Sequence, residues 1–182
     1  NNTWGAYQCY GDQWYRLTSS ATGNKSGNTY FTQDQVMIDL YNLLTDTKDR
    51  KLNPVAIEKK LNTILRDANK MVNAQILELK AEILSELGLI DQAVQTYREL
   101  RQVHHSDFTV RSLEQDNNLR AKQLLVKVMA DKNLKPQYIQ SSIKEIVRDF
   151  DSLLLIGSTP ERLSILGGAY KKMALAKCLC FR

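Results

Sequence analysis

The sequence predicts a mainly α-helical protein in which an array of antiparallel helix pairs follows a short N-terminal extended segment. Only eight Gly and three Pro occur among 182 residues, which disfavours a turn-rich all-β fold and a disordered chain. From Val36 onward, apolar residues recur at intervals of three and four. Hydrophobic residues make up 43% of the chain, enough for a sizeable core. We therefore expect residues 32–182 to form one helical region.

The first 17 residues differ in composition from the rest of the chain. They are crowded with aromatic side chains, and aromatic enrichment favours an extended strand, with a turn at Gly11-Asp12. Residues 18–31 are rich in Ser, Thr, Asn and Gly, which is typical of a flexible linker. The aromatic residues of the predicted strand are Trp4, Tyr7, Tyr10, Trp14 and Tyr15.

The first two helices carry recognisable start signals. Thr32 is followed three residues later by Gln35, the spacing of a capping box. Asn53 precedes Pro54, which suits the first position of a helix because proline lacks the N–H that would be unsatisfied there. These signals predict helices that begin just after Thr32 and Asn53.

Five further helices are predicted from apolar periodicity and breakers, with short turns that imply antiparallel neighbours. Their expected spans are about Asn73–Leu87 ended by Gly88, Ile90–Val103, Phe108–Ala130, Pro136–Ile156, and a last helix opened by Thr159 and Pro160.

The segment 77–100 has small and large residues at positions that suit a close helix pair. Two antiparallel helices approach closely only where small residues lie at the crossing, and Gly permits a tight turn between them. This spacing resembles one tetratricopeptide repeat, although Lys80 and Leu100 depart from the family pattern. The resemblance implies a tetratricopeptide-like α-solenoid. The residues that carry it are Leu77, Ala81, Leu84, Gly88, Ala93 and Tyr97.

A second partial match, at Leu163, Leu166, Gly167 and Tyr170, resembles the first helix of another such repeat. The pair Gly167-Gly168 within this helical pattern suggests a close approach by a neighbouring helix. The two matches are not separated by a multiple of the family's period of about 34 residues, so we expect a degenerate array that continues beyond Arg182. The alternative is a generic helical bundle with coincidental spacing.

The opening stretch TWGAYQCYGD, residues 3–12, followed by Tyr15-Arg16-Leu17, resembles the closing segment of a bacterial CHAT domain. This family comprises caspase-like cysteine proteases that are often fused to tetratricopeptide repeats. The stretch TPERLSILGGAYK, residues 159–171, is similar to the helical region that follows such domains. The resemblance implies that the catalytic His and Cys lie upstream of this chain and that Cys9 belongs to a late core strand.

The residues give no complete catalytic or metal centre. The two imidazoles, His104 and His105, are adjacent in a predicted turn, so a dyad with Cys9 is not expected. Cys178 and Cys180 lack the two-residue gap of zinc-binding pairs. We therefore predict that this chain is not an enzyme, and that it holds no cofactor and no metal.

Neither the carboxylates nor the overall charge indicates a functional site in the sequence. Asp34, Glu58 and Glu145 are scattered on polar faces, with no pair in an apolar setting for acid–base work. The net charge of +5 comes from 25 basic and 20 acidic residues that are interspersed.

No apolar run approaches the roughly 20 residues of a membrane span, and the start does not read as a signal peptide. Three cysteines, an odd number, fit a reducing cytoplasm.

The sequence therefore predicts a cytoplasmic scaffold that binds a protein or peptide, as the helical-repeat part of a larger CHAT-type protease. In such arrays the first helix of each pair lines the concave surface. The alternatives are a nucleic-acid-binding helical repeat that uses the net positive charge, and a self-contained hydrolase that uses Cys9. The predicted binding residues are Asn73, Gln75, Glu78, Lys80 and Glu82.

Overall fold

The computed structural model describes residues 30–50, 53–68, 71–103, 109–131 and 134–180. Over these ranges the chain forms seven α-helices and no strand, which confirms the mainly α prediction. The strand predicted at 1–17 and all but the last two residues of the predicted linker lie outside the described residues. The helices are α1 Gln33–Lys48, α2 Pro54–Asp67, α3 Ala74–Glu86, α4 Ile90–Val103, α5 Val110–Ala130, α6 Pro136–Ile156 and α7 Pro160–Cys180.

Side-chain caps fix the starts of several helices where the sequence predicts them. At α1 the Thr32 hydroxyl accepts from the Gln35 N–H, and the Gln35 side chain accepts from the Thr32 N–H in return. At α2 the Asn53 carboxamide accepts from Val55 N–H at 2.9 Å. The start of α5 is set by Thr109, whose hydroxyl accepts from the Ser112 N–H at 3.0 Å, so this helix begins at Val110.

A complete Schellman motif joins α3 to α4. The N–H of Leu89 donates to the carbonyl of Leu84 at 2.9 Å, and that of Gly88 donates to Ser85 at 3.0 Å. Gly88 has φ of 76°, a left-handed conformation that glycine adopts without steric cost. Since the turn is short and the two helices are in extensive contact, α3 and α4 form an antiparallel pair.

The small residues predicted for the crossing of these two helices are buried. Ala81 and Ala93 are completely buried, Tyr97 is 1% exposed, and all three belong to the same apolar cluster. Burial of the Tyr97 phenol, with further contributions from Glu82 and Glu78, raises its pKa far above the ordinary value. The Tyr97 hydroxyl therefore remains protonated throughout the physiological range.

Helix contacts divide the described chain into two regions. In the first, α1 packs against both α2 and α3, and α3 packs against α4. In the second, α5 packs against α6 and most extensively against α7. The contact between α4 and α5 joins the regions, and Leu119 of α5 contributes to the first core.

The two regions have differently organised cores. The first has one continuous apolar cluster that draws on α1, α2, α3 and α4. The second has two smaller clusters, one centred on Phe150 and Met173 and the other on Leu124 and Ile139. The first core includes Val36, Leu40, Leu43, Ile57, Leu61, Ile76, Ala81, Ile83, Ala93, Tyr97 and Leu100.

The second partial repeat is only partly packed. Leu166 is buried, but 50% of Leu163 and 43% of Tyr170 are exposed. A Cβ atom added at Gly167 would meet nothing within 4 Å, so the expected close helix approach there is wrong for the described residues. The reason is helix phase, because the buried face of α7 is turned by roughly 100° from the stripe predicted to pack. That buried face consists of Arg162, Leu166, Ala169, Met173 and Ala176.

Candidate functional site

The residues predicted to form the binding surface do not lie together. Asn73 is the N-cap of α3, where its carboxamide oxygen accepts from the Ile76 N–H at 2.9 Å. Its Nδ2 atom donates to the Gln33 side chain at 2.9 Å. Asn73 therefore holds the starts of α1 and α3 together, whereas Gln75 is exposed.

Glu78 and Glu82 contact the first turn of α5. The Thr109 hydroxyl donates to Glu78 at 3.3 Å, and Arg111 Nη2 lies 3.0 Å from Glu82 Oε1. Lys80 instead borders the groove between α3 and α4, about 160° around the helix from Glu82. The predicted set thus splits between two faces of α3.

A network of ion pairs, which the sequence did not predict, joins α4, α5 and α6. Arg101 of α4 lies 2.9 Å from Asp116 and 3.1 Å from Asp149. Arg120 of α5 lies 2.9 Å from Asp149 and 2.7 Å from Glu145. Two guanidinium groups thereby bridge three carboxylates from two helices.

Asp116 is the most deeply buried member of this network, with 4% of the residue exposed. Burial raises its pKa to about 6, although Arg120 and Arg101 favour the ionised form. The only signal of this site in the sequence is the spacing of Asp116 and Arg120 by four residues on one helix. Their partners lie far away along the chain, and helical periodicity does not identify them.

An open cleft of about 320 Å³ lies between α4 and α6, above the network. Both helices contact α5, which forms the floor of this α4–α6 cleft. The lining combines three arginines, two carboxylates, two glutamines, two hydroxyl groups and a small apolar patch. The lining residues are Val94, Arg98, Arg101, Gln102, Asp116, Arg120, Gln123, Leu124, Tyr138, Ser142, Glu145 and Ile146.

The charged groups of the cleft differ in their access to solvent. The Asp116 side chain is 6% exposed and that of Arg120 is 14% exposed, whereas a third of the Arg101 side chain is accessible. Arg98 is exposed. The accessible charges of the cleft are therefore Arg98 and part of Arg101 on the α4 side, and Glu145, whose side chain is 53% exposed, on the α6 side.

A second buried arginine attaches α7 to the rest of its region. Arg162 Nε donates to Glu114 of α5 at 2.5 Å, and Arg162 Nη1 donates to the carbonyl oxygens of Leu153 and Gly157. These carbonyls belong to the C-terminal end of α6, which has no further helical turn to bind them. Arg162 is therefore a structural residue that joins three helices.

The residues weighed for metal binding or catalysis remain apart or outside the described ranges. No group of three metal-ligating side chains occurs among the described residues. Cys178 is exposed, and the Cys180 thiol lies 3.9 Å from the Leu134 carbonyl oxygen. Cys9, His104 and His105 fall outside the described residues.

Comparisons with known proteins assign the chain to no family. No protein-family model, no curated protein and no solved structure matches the sequence or its fold significantly. Of the helices that the structure describes, none is sufficiently long and apolar to cross a membrane.

Proposed function

We propose that this chain is a protein-interaction scaffold that binds a peptide segment of its partner in the α4–α6 cleft. The observation that carries the proposal is the cleft itself, since its polar floor is fixed by ion pairs and its opening faces solvent. Ligand sites combine such a concavity, of about 300 Å³ or more, with a few convergent polar groups.

We further propose that the helices form a degenerate tetratricopeptide-like α-solenoid. Extensive contacts between α1 and α3, and between α5 and α7, support this arrangement because they join helices that are two apart in sequence, whereas α3 and α5 contact each other only slightly. In a solenoid of helix pairs, the first helices of successive pairs stack in this way. The α3–α4 pair carries the turn and the small buried residues expected of one repeat.

The proposed setting is the helical part of a larger CHAT-type caspase-like protease in the cytoplasm. Its support is the resemblance of residues 3–12 and 159–171, together with the helical architecture. In that setting, a partner held in the cleft would regulate the protease domain or direct it to a target.

The charge-based alternative, nucleic-acid binding, has less support from the arrangement of side chains. Nucleic-acid binding requires a contiguous basic stripe, and its affinity falls steeply with salt. In the described part of the chain, many arginines lie within 4.0 Å of a carboxylate instead. These are Arg66, Arg101, Arg111, Arg120, Arg148 and Arg162.

Selection of short random peptides displayed on phage against the purified chain tests the scaffold proposal. We expect the selected peptides to lose about tenfold or more in affinity when Ser142→Trp fills the cleft. The matched control is Asn62→Trp, at an exposed position on α2. Selection of no peptide, or equal binding to the two variants, would contradict the proposal.

A further inference from the structure

We propose that the α4–α6 cleft selects acidic peptides, with one ligand carboxylate bound by Arg98. This inference rests on the proposed function, because it names the chemistry of the partner that the same cleft accepts. It concerns a peptide carboxylate from Asp or Glu. A basic or an uncharged peptide is an outcome of the test below.

Each carboxylate of the cleft lining already has an arginine as its ion-pair partner. Asp116 lies 2.9 Å from Arg101, and Glu145 lies 2.7 Å from Arg120. Asp149, just beyond the lining, lies between the same two arginines. A basic peptide would therefore have to displace an existing ion pair to gain its own.

Arg98 is different from these arginines. It is exposed at the cleft and makes no ion pair within 4.0 Å to any residue in the described ranges. A guanidinium group offers five N–H donors in a planar fork that matches a carboxylate. Arg98 is thus the lining arginine that is exposed and has no carboxylate within 4.0 Å among the described residues.

Neutral groups around Arg98 suit the rest of a bound peptide. Gln102 is exposed on the same helix, and the Tyr138 and Ser142 side chains line the opposite side from α6. Amide and hydroxyl groups can both donate to and accept from a peptide backbone. The cleft volume of about 320 Å³ limits the bound part to a short segment.

Fluorescence anisotropy with two labelled octapeptides tests the inference directly. In one probe Glu alternates with Ala, and in the other Gln replaces every Glu. We expect the Glu probe to bind about fivefold or more tightly than the Gln probe. We also expect Arg98→Gln to abolish most of that difference.

Arg66→Gln is the matched control, because it removes the same charge from an arginine whose side chain is 72% exposed on α2. This variant should bind the Glu probe as the unmodified chain does. Equal loss in the Arg98 and Arg66 variants would mean that net charge alone attracts the probe, and would overturn the inference. Equal binding of the Glu and Gln probes would overturn it as well.

The peptide selection on phage tests the scaffold proposal independently of the acidic selectivity. If displayed peptides depend on Ser142 but are not acidic and ignore Arg98→Gln, acidic selectivity is wrong and the scaffold proposal stands. If no displayed peptide depends on Ser142, both proposals fail.

Discussion

The helices of the region α1–α4 and those of the region α5–α7 are held together by different kinds of side-chain contact. In α1–α4, one continuous apolar cluster, which includes the completely buried Ala81 and Ala93, holds the helices together. In α5–α7 the apolar clusters are smaller, and buried charged side chains such as Asp116 and Arg162 complete the contacts. The first region is therefore specified mainly by shape, whereas the second depends on the pairing of specific charges.

Truncation of Tyr97 should destabilise the region α1–α4 more than any substitution on its surface. We expect Tyr97→Ala to lower the free energy of unfolding by about 4 kcal/mol, because it leaves a cavity in a closed apolar core. Urea unfolding followed by circular dichroism measures this loss. The control is Tyr41→Ala on the outer face of α1, which should cost less than about 0.5 kcal/mol. Similar losses in both variants would refute the packing described for α3 and α4.

Replacement of Arg162 tests whether charge pairing holds the second region. We expect Arg162→Met to lower the free energy of unfolding by about 3 kcal/mol, since it leaves the largely buried Glu114 carboxylate without its partner. The double variant with Glu114→Leu should recover a large part of the loss, because apolar side chains can replace a buried ion pair. A single variant as stable as the unmodified chain would show that this contact contributes nothing.

The pKa of Asp116 makes the stability of the second region dependent on pH. A carboxyl group whose pKa is raised by folding stabilises the native state at low pH, and this contribution is lost as pH rises through the folded-state value of about 6. The shift from 3.8 corresponds to at most about 3 kcal/mol. The stability of the unmodified chain relative to Asp116→Asn should therefore fall between about pH 4 and about pH 7. A relative stability that rises over this interval would contradict the pKa assignment.

Two glycine substitutions should have opposite signs in the two regions. Gly88→Ala should destabilise the chain by about 1 kcal/mol, since its φ of 76° is left-handed although space is available for a Cβ atom. Gly167→Ala should stabilise by roughly 0.5–1 kcal/mol, because Gly167 lies in a helix with open space around it. Melting temperatures of the two variants distinguish the turn glycine from the helix glycine. A loss of stability in Gly167→Ala would instead indicate that a neighbouring helix does approach closely at Gly167.

The sequence predicted local structure in both regions but long-range chemistry in neither. The caps at Thr32 and Asn53 and the turn at Gly88 were predictable because each depends on residues no more than a few positions apart. The contact of Arg101 with Asp149 joins residues 48 positions apart, so no periodic pattern reveals it. Glu145 is exposed, in agreement with its predicted place on a polar face, but its ion pair with Arg120 was not predicted for the same reason.

Helix phase explains the remaining errors. Lys80 and Glu82 are close in sequence but lie on different faces of α3, so choosing positions beside small residues did not define one surface. Leu163 and Tyr170 matched a repeat pattern whose face is not the buried face of α7. The spacing of apolar residues thus predicts that a segment is helical. It predicts which face of the helix is buried only when all the apolar residues along the helix are considered together.

Photo-crosslinking with a display-selected peptide tests the central claim, that the α4–α6 cleft holds the partner. A benzophenone side chain would replace Tyr138 in the cleft, and in a second protein it would replace the exposed Tyr41 on α1. We expect the selected peptide to crosslink at position 138 and not at position 41. Crosslinking at position 41 alone, or equally at both positions, would contradict the assignment of the cleft as the binding site.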